Sequence, residues 1–296
     1  MIFTKEDVKR GLNFIFRRRP IFKTAQIVCL APNNLLKDRI ALITGGGSGI
    51  GFATAKAMLE AGASVIITGR TEQKLISAVE ELKKISKCHG FIYYKTMDNS
   101  EIDKLEQHFD NITSMIGDEV ISILVNNAGT QGTSNSNFGK AIEDDFDNVI
   151  NTNLKGTYFF SQIVAKYMVR NSIQGNILNI ASSSSERPCN NAYTLSKWGI
   201  KGLTLGMAKL LIPYNIVVNA IAPGPTATPM LLNDNMTDIN MEQNPSGRFA
   251  MPEEIANMAV ILTSGMGRMT VGSILYMSGG AGNITYDDIS YNFDVK

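Results

Sequence analysis

Histidine is scarce in this chain. Only His89 and His108 occur in 296 residues. The three cysteines, Cys29, Cys88 and Cys189, show no C-x-x-C spacing. A structural zinc site needs four Cys or His ligands at short spacing, so none is expected, and no metal site is assigned. An odd cysteine count without a pattern also argues against a disulfide framework and fits a reducing compartment, so the expected location is cytoplasmic. Charge of one sign is missing too: 28 basic residues face 27 acidic ones, a net charge of +1, which offers no field for nucleic acid. The apolar stretch "AQIVCLA" near the N-terminus is far short of the roughly 20 residues that span a bilayer. The charges around it do not follow the order of a signal peptide. No 20–50-residue repeat and no low-complexity tract occurs. What remains is an ordinary globular composition, 44% hydrophobic, in a chain long enough to bury a core without staples.

Residues 1–37 differ from the rest. "MIFTKEDVKRGLNFIFRRR" opens on a capping-box-like Thr4-x-x-Asp7 and places Val8, Leu12 and Phe16 at helical spacing, closing on Arg17, Arg18 and Arg19. This reads as a basic amphipathic extension that packs on its own domain or on a partner subunit. A surface helix touching anionic lipid is the alternative. "APNNLL" marks the boundary to a main domain over 38–296.

The body alternates short apolar runs with helix-sized amphipathic segments. "RIALIT" (39–44), "SVIIT" (64–68), "FIYYKT" (91–96), "ISILV" (121–125), "NILNI" (176–180), "IVVNAI" (216–221) and "SILYM" (273–277) read as buried strands. Helical stretches such as "TEQKLISAVEELKKI" and "EIDKLEQHFDNITSMI" lie between them. Strands separated by helices predict a single α/β domain with a doubly wound parallel sheet, Rossmann-like and covered on both faces.

Between the first strand and the first helix stands "TGGGSGIG" (44–51). Glycines let the backbone approach closely, and a helix N-terminus offers free N–H groups to an anion. The spacing Gly45-x-x-x-Gly49-x-Gly51 differs from G-x-G-x-x-G, but the place after a strand and before a helix predicts a dinucleotide site. At the end of the second strand, where an acid would bind the 2′-hydroxyl of NAD, the chain has Gly69 and Arg70. An arginine there suits the 2′-phosphate of NADP, so NADP(H) is favoured over NAD(H). Farther on, "NAYTLSKWG" sets Tyr193 and Lys197 four apart, on one helical face. A phenol beside a cation is a candidate acid/base, because the charge favours phenolate and lowers a pKa that is ordinarily about 10.

The segments "TGGGSGIG", "NNAG" (126–129), "NTNLKG" (151–156), "NIASSS" (179–184), "YTLSK" (193–197) and "NAIAPGPTAT" (219–228) together resemble the short-chain dehydrogenase/reductase family, over about residues 38–280 and in the family's order. The chain is similar in particular to its 3-oxoacyl-ACP reductase-like members. The resemblance implies an NADP-dependent oxidoreductase that moves a hydride between nicotinamide and a carbonyl or secondary alcohol. It makes Tyr193 the general acid/base and has Lys197 also hold the nicotinamide ribose. It makes Ser182 the hydrogen-bond donor to the reacting oxygen, with Ser183 second, and Asn153 the support of a water-mediated proton relay. The cofactor set it implies runs through Thr44, Gly45, Ser48, Gly49, Ile50 and Gly51 in the first turn and Arg70 after the second strand. It continues with Asp98 at adenine, Asn126, Ala128 and Gly129, then Pro223, Gly224, Thr226 and Thr228 beside the nicotinamide. One departure is Ser122, where the family often has Asp, which predicts weaker local stability.

Residues 229–250 match the family's mobile substrate lid, and Met230, Met236 and Met241 there suit an apolar ligand. Gly199, Gly202 and Gly206 lie at spacings of three and four in the Tyr193 helix, which suggests close approach of another element. Family members pair this helix across a subunit interface, so a homodimer or homotetramer is expected, with a small-molecule carbonyl or alcohol as substrate. A 3-oxoacyl thioester, a steroid or a sugar alcohol would fit, and a non-catalytic cofactor-binding protein is the rival class. A serine hydrolase, suggested by the run Ser182–Ser185, lacks a G-x-S-x-G elbow, and both histidines lie far upstream.

Overall fold

The computed structural model describes residues 33–85, 90–133, 137–231 and 238–282. The amphipathic helix expected within the N-terminal extension, together with Cys29, Cys88, His89 and Met236, lies outside the described residues.

All seven expected strands form, with ends shifted by at most two residues. They are β1 (Ile40–Thr44), β2 (Ser64–Gly69), β3 (Ile92–Thr96), β4 (Ile121–Asn126), β5 (Asn176–Ile180), β6 (Val217–Pro223) and β7 (Ile274–Met277). They make one parallel sheet in the order β3-β2-β1-β4-β5-β6-β7. The chain winds outward from β1 in one direction and then from β4 in the other. A crevice therefore opens at the C-terminal ends of β1 and β4, the place where such sheets receive ligands.

Both faces are covered, which is why the strands read as continuous apolar runs. In β1, Ala41 and Ile43 face α1 (Gly49–Glu60), α2 (Glu72–Ile85) and α7 (Pro252–Thr263). Ile40 and Leu42 face α3 (Leu105–Ile116) and α5 (Gly156–Arg170). The second face centres on Phe160, fully buried with Phe109 edge-on at 6.1 Å between ring centroids. Burial of such a side chain stabilises by about 1.5–3 kcal/mol. Helix α6 (Ala192–Leu211) lies on that same side, packing Ile200 on Ala220 and Ala222 of β6.

A helix α4 (Glu143–Ile150) runs through a π-helical turn, Asn151–Lys155, directly into α5. The widened turn rotates Asn153 inward, where it is buried. Ser122 sits where the register between β1 and β4 shifts, since Ile40 pairs Ile121 and Ala41 pairs Ile123. The expected weakness at Ser122 does not appear as missing partners. The Arg39 guanidinium donates to its hydroxyl at 2.6 Å, to its carbonyl at 2.9 Å and to Asn176 Oδ1 at 3.0 Å. The serine accommodates a bulge that the arginine straps across β1, β4 and β5.

Candidate active site

The first βα turn is shaped by glycines that no other residue could replace cheaply. Gly45 and Gly49 adopt φ of 65° and 54°, in the left-handed region. A side chain on Gly51 would strike the Gly45 carbonyl oxygen and come within 2.5 Å of Asn127 Nδ2. That contact marks how tightly the turn is clamped from β4. The Asn127 amide donates to the carbonyls of Thr44 (3.1 Å) and Gly45 (2.9 Å). Thr44 Oγ1 in return accepts from the backbone of Asn127 and Ala128, each at 3.0 Å. At the start of α1, Ser48 makes no side-chain cap and the first turn holds no acid. The first N–H groups of a helix have no intrahelical acceptor, and Ser48, Gly49 and Ile50 line the crevice, which suits a diphosphate.

The crevice is a cleft of about 310 Å³. It brings together most of the residues singled out in the sequence: Gly45, Ser48, Gly49, Ile50, Arg70, Asp98, Ala128, Gly129, Ser182, Tyr193, Lys197, Pro223, Gly224, Thr226 and Thr228. Four others stand behind its surface. Thr44 and Gly51 shape the glycine turn from within. Asn126 donates to Ser161 Oγ and Asn179 Oδ1, both at 2.8 Å, and so ties β4 to α5 and β5. Asn153 receives Thr130 N–H at 2.8 Å and donates to Thr130 O (2.8 Å) and Ser196 Oγ (3.1 Å). Its side chain joins the segment after β4 to helix α6. Among the described residues no group of His, Cys, Asp and Glu is placed to hold a metal. Of the two histidines, the described one, His108, sits in α3 and does not line the cleft.

Helix α6 begins at Ala192 because Asn191 caps it, its side chain accepting from Thr194 N–H at 2.8 Å. The cap sets Tyr193 in the first turn, facing the cleft. Ser182 rather than Ser183 lines the cleft, because Ser182 caps a 3₁₀ turn, Ser183–Glu186, by accepting from Ser184 N–H at 3.1 Å. The far end of that turn is fastened to α6. Trp198 Nε1–H donates to the Arg187 carbonyl at 2.8 Å, and Lys201 pairs with Glu186 at 3.3 Å. Ser182 and Tyr193 are thus held by the same helix.

The electrostatics correct one expectation. Lys197 is buried, donates to the Ile180 carbonyl at 2.8 Å and lies 5.7 Å from the Tyr193 ring centroid. Burial pulls its pKa down to about 8. The Tyr193 phenol is pushed up, not down. Tyr193 lines the cleft half-buried, and desolvation of its hydroxyl outweighs the Ser182 hydrogen bond that favours phenolate. The lysine at this spacing is a charge held next to the phenol rather than a group bonded to it.

Several residues at the cleft were not singled out in the sequence. Asn127 was part of "NNAG" but gave no sign of clamping a turn some 80 positions earlier. Lys74 and Thr71 line the cleft from the start of α2, and Asn99, Gln131 and Thr152 line it as well. Asp98 Oδ1 accepts from Ser100 N–H at 2.9 Å and Ser100 Oγ at 2.7 Å, which leaves Oδ2 for a ligand.

The three glycines of α6 separate. A side chain on Gly199 would meet Leu154 Cδ2 at 2.7 Å, so its close neighbour is internal, whereas Gly202 and Gly206 have open space around them. In the segment after β6, Met230 and Leu231 stand exposed at the cleft mouth. Residues 244–250 are instead pinned to the body. Asn244 Nδ2 donates to Ser278 O at 3.0 Å, and Arg248 forms a bidentate pair with Glu254 at 2.9 and 2.7 Å.

Comparison with known proteins agrees with this geometry. The sequence model of the family described as short chain dehydrogenase matches residues 39–238. The 3-oxoacyl-[acyl-carrier-protein] reductase of Thermotoga maritima is 33% identical over 249 residues, covering 83% of this chain and 98% of its own. A 3-oxoacyl-[acyl-carrier protein] reductase from Brucella melitensis with bound NAD superimposes with a TM-score of 0.75 at 29% identity, over 87% of this chain and 97% of its own. A short chain dehydrogenase from Burkholderia cenocepacia in complex with NADP gives a TM-score of 0.73 at 27% identity, over 84% and 99%.

Proposed function

The chain belongs to the short-chain dehydrogenase/reductase family and is an NAD(P)-dependent oxidoreductase; from that premise we propose that it uses NADP(H) on a carbonyl or secondary alcohol, with Tyr193 as general acid and base. The observation that carries the reading is one cleft that joins a glycine turn fit for a diphosphate to Ser182, Tyr193 and Lys197. Arg70 on the rim of that cleft supports the choice of NADP(H).

Held by the glycine turn, Tyr193 and Lys197, a nicotinamide cofactor would supply the hydride chemistry at the reacting carbon. In reduction, Tyr193 gives its hydroxyl proton to the oxygen as negative charge develops there, and in oxidation it takes that proton away. Ser182 donates a hydrogen bond to the same oxygen and so stabilises the charge. Lys197, protonated for the most part at neutral pH with a pKa of about 8, favours the phenolate that Tyr193 becomes after giving up its proton. Asn153 has its amide committed to Thr130 and Ser196, so we assign it the positioning of α6 against the segment after β4.

Among substrates, a 3-oxoacyl thioester is the second reading, favoured by the Thermotoga relative and by the apolar Met230 and Leu231 at the mouth. The same proposal divides the chain into an extension, 1–37, and a catalytic body, 38–296, and places it in the cytoplasm, where the free, exposed Cys189 stays reduced. It also pairs subunits through α5 and α6, which expose Tyr158, Phe159, Leu195 and Leu205 around the open Gly202 and Gly206. Light scattering at micromolar concentration should give a dimer or tetramer, and a monomer would refute the pairing.

Thermal unfolding with NADPH, NADH or neither tests the cofactor. A ligand specific to the folded state at a hundredfold excess over its Kd adds about 2.7 kcal/mol. Protection by NADPH above NADH is expected. Protection by NADH alone would reverse the cofactor choice, and no protection by either would favour a protein that no longer catalyses.

A further inference from the structure

The glycine turn brings no cation to the nucleotide. "TGGGSGIG" holds neither Lys nor Arg, and Ser48 occupies its centre. Positive charge at this end of the cleft comes from the next βα junction. Strand β2 ends at Gly69, and Arg70, Thr71 and Lys74 line the cleft from the residues that open α2. Lys74 Cβ would stand 3.8 Å from a Cβ placed on Gly47, so its side chain leaves the helix directly opposite the glycine turn.

Both cations are exposed. Neither has an ion pair or a side-chain hydrogen bond with any of the described residues. The nearest acid in sequence, Glu72, accepts from the Tyr94 hydroxyl at 3.4 Å, on the β3 side. Among the described residues the one carboxylate that lines the cleft, Asp98, turns Oδ1 to Ser100. Lys74 is also at the unfavourable end of its helix. The first turn carries the positive pole of the helix dipole, where acids are stabilised and lysine is not. Lys83 and Lys84, in the last turn of α2, obey that rule and Lys74 breaks it. A residue that breaks a local rule on the rim of a ligand cleft is more economically explained by the ligand than by the helix.

We propose that Lys74 is the second cation of a two-residue clamp for a phosphate monoester at the adenosine end of the nucleotide, and that it sets the discrimination between NADPH and NADH together with Arg70. The inference rests on the NADP(H) reading above. The two cations differ in kind: Arg70 offers a planar fork for two phosphate oxygens, and Lys74 a mobile point charge that reaches in from the helix.

Calorimetric titration of the full-length protein and of Lys74→Ala with NADPH and with NADH, in low and high salt, tests the clamp. Loss of one charge-assisted contact should weaken NADPH about tenfold. NADH should change by less than about twofold, and the NADPH penalty should shrink as salt rises. The melting temperature of the cofactor-free variant should hold or rise, since the helix loses a misplaced charge. Unchanged NADPH affinity, or a loss shared equally by NADH, overturns the clamp while leaving the enzyme assignment intact. Wild-type protein that binds NADH as tightly as NADPH overturns both the NADP(H) reading and the clamp. Binding of neither cofactor overturns the proposed function itself.

Discussion

The two walls of the cleft are made of different material. The wall built on β1 and β2 is largely apolar behind and, apart from Arg70 and Lys74 on its rim, bare in front. What its first turn offers a ligand is backbone, at Gly45, Gly49 and the start of α1. The wall built on β4, β5 and α6 is a network of buried polar side chains. Asn126 bonds Ser161 and Asn179, Asn179 bonds Thr204 at 2.8 Å, Asn153 bonds Ser196, and Lys197 bonds the Ile180 carbonyl. Buried polar groups destabilise unless each finds a partner, so the second wall is stable only as a whole. Binding a diphosphate needs close approach, which glycine supplies. Moving a proton needs specific functional groups held dry, which a hydrogen-bonded network supplies; of its atoms Asn126 Oδ1 is buried without a partner among the described residues.

If the walls divide the labour in this way, substitutions should separate binding from chemistry. The largest effect is expected from Tyr193→Phe, which removes the proton donor and its hydrogen bond with Ser182 while keeping the ring. Steady-state turnover should fall about 10²–10⁴-fold, while titration shows NADPH binding unchanged. Retained turnover would move the acid/base to another residue and dissolve the contrast. On the opposite wall, Gly51→Ala drives a methyl group into the Gly45 carbonyl and the Asn127 amide. Chemical denaturation should show a loss of about 1–3 kcal/mol, as for other overpacked sites, together with lost dinucleotide binding. Normal binding by that variant would mean the turn is not the cradle.

The smallest effect is the most diagnostic. Burial lowers Lys197 from an ordinary 10.5 to about 8, so the folded state disfavours the ammonium. The sign follows directly. The penalty is fully present below pH 8, fades as pH rises towards 10.5, and vanishes where the lysine is neutral folded or unfolded. It corresponds to about 3 kcal/mol, of which losing the hydrogen bond to Ile180 offsets about 1 kcal/mol. Lys197→Met should therefore be more stable than the cofactor-free wild type at pH 7, by about 2 kcal/mol, although inactive. Melting curves from pH 7 to 10 should show that advantage shrinking. An advantage independent of pH would assign the change to packing and not to charge.

The sheet was readable from sequence because its signals are local. Most strands are short apolar runs with Gly, Asn or a helix start close behind, and β5 falls on residues 176–180 as expected. The Tyr193–Lys197 spacing is likewise a property of one helix. What escaped was set by partners distant in the chain. Asn127 clamps a turn in a neighbouring strand, and Arg39 supplies what Ser122 lacks across 83 positions. The direction of the Tyr193 pKa depended on how deeply the hydroxyl is enclosed, which spacing does not reveal. Equal glycines at 199, 202 and 206 proved unequal, because only Gly199 meets Leu154. The choice between Ser182 and Ser183 rested on a single capping bond in a 3₁₀ turn.

The chain contains one tryptophan, and it is Trp198, with its indole N–H on the Arg187 carbonyl and Lys201 Nζ 5.3 Å above its ring. Indole emission responds to both kinds of neighbour, a hydrogen-bond acceptor and a charge over the ring. The molecule therefore carries a built-in optical gauge on the segment that presents Ser182. A shift in its fluorescence would report movement of that one turn, with no label attached and no second indole to confuse the signal.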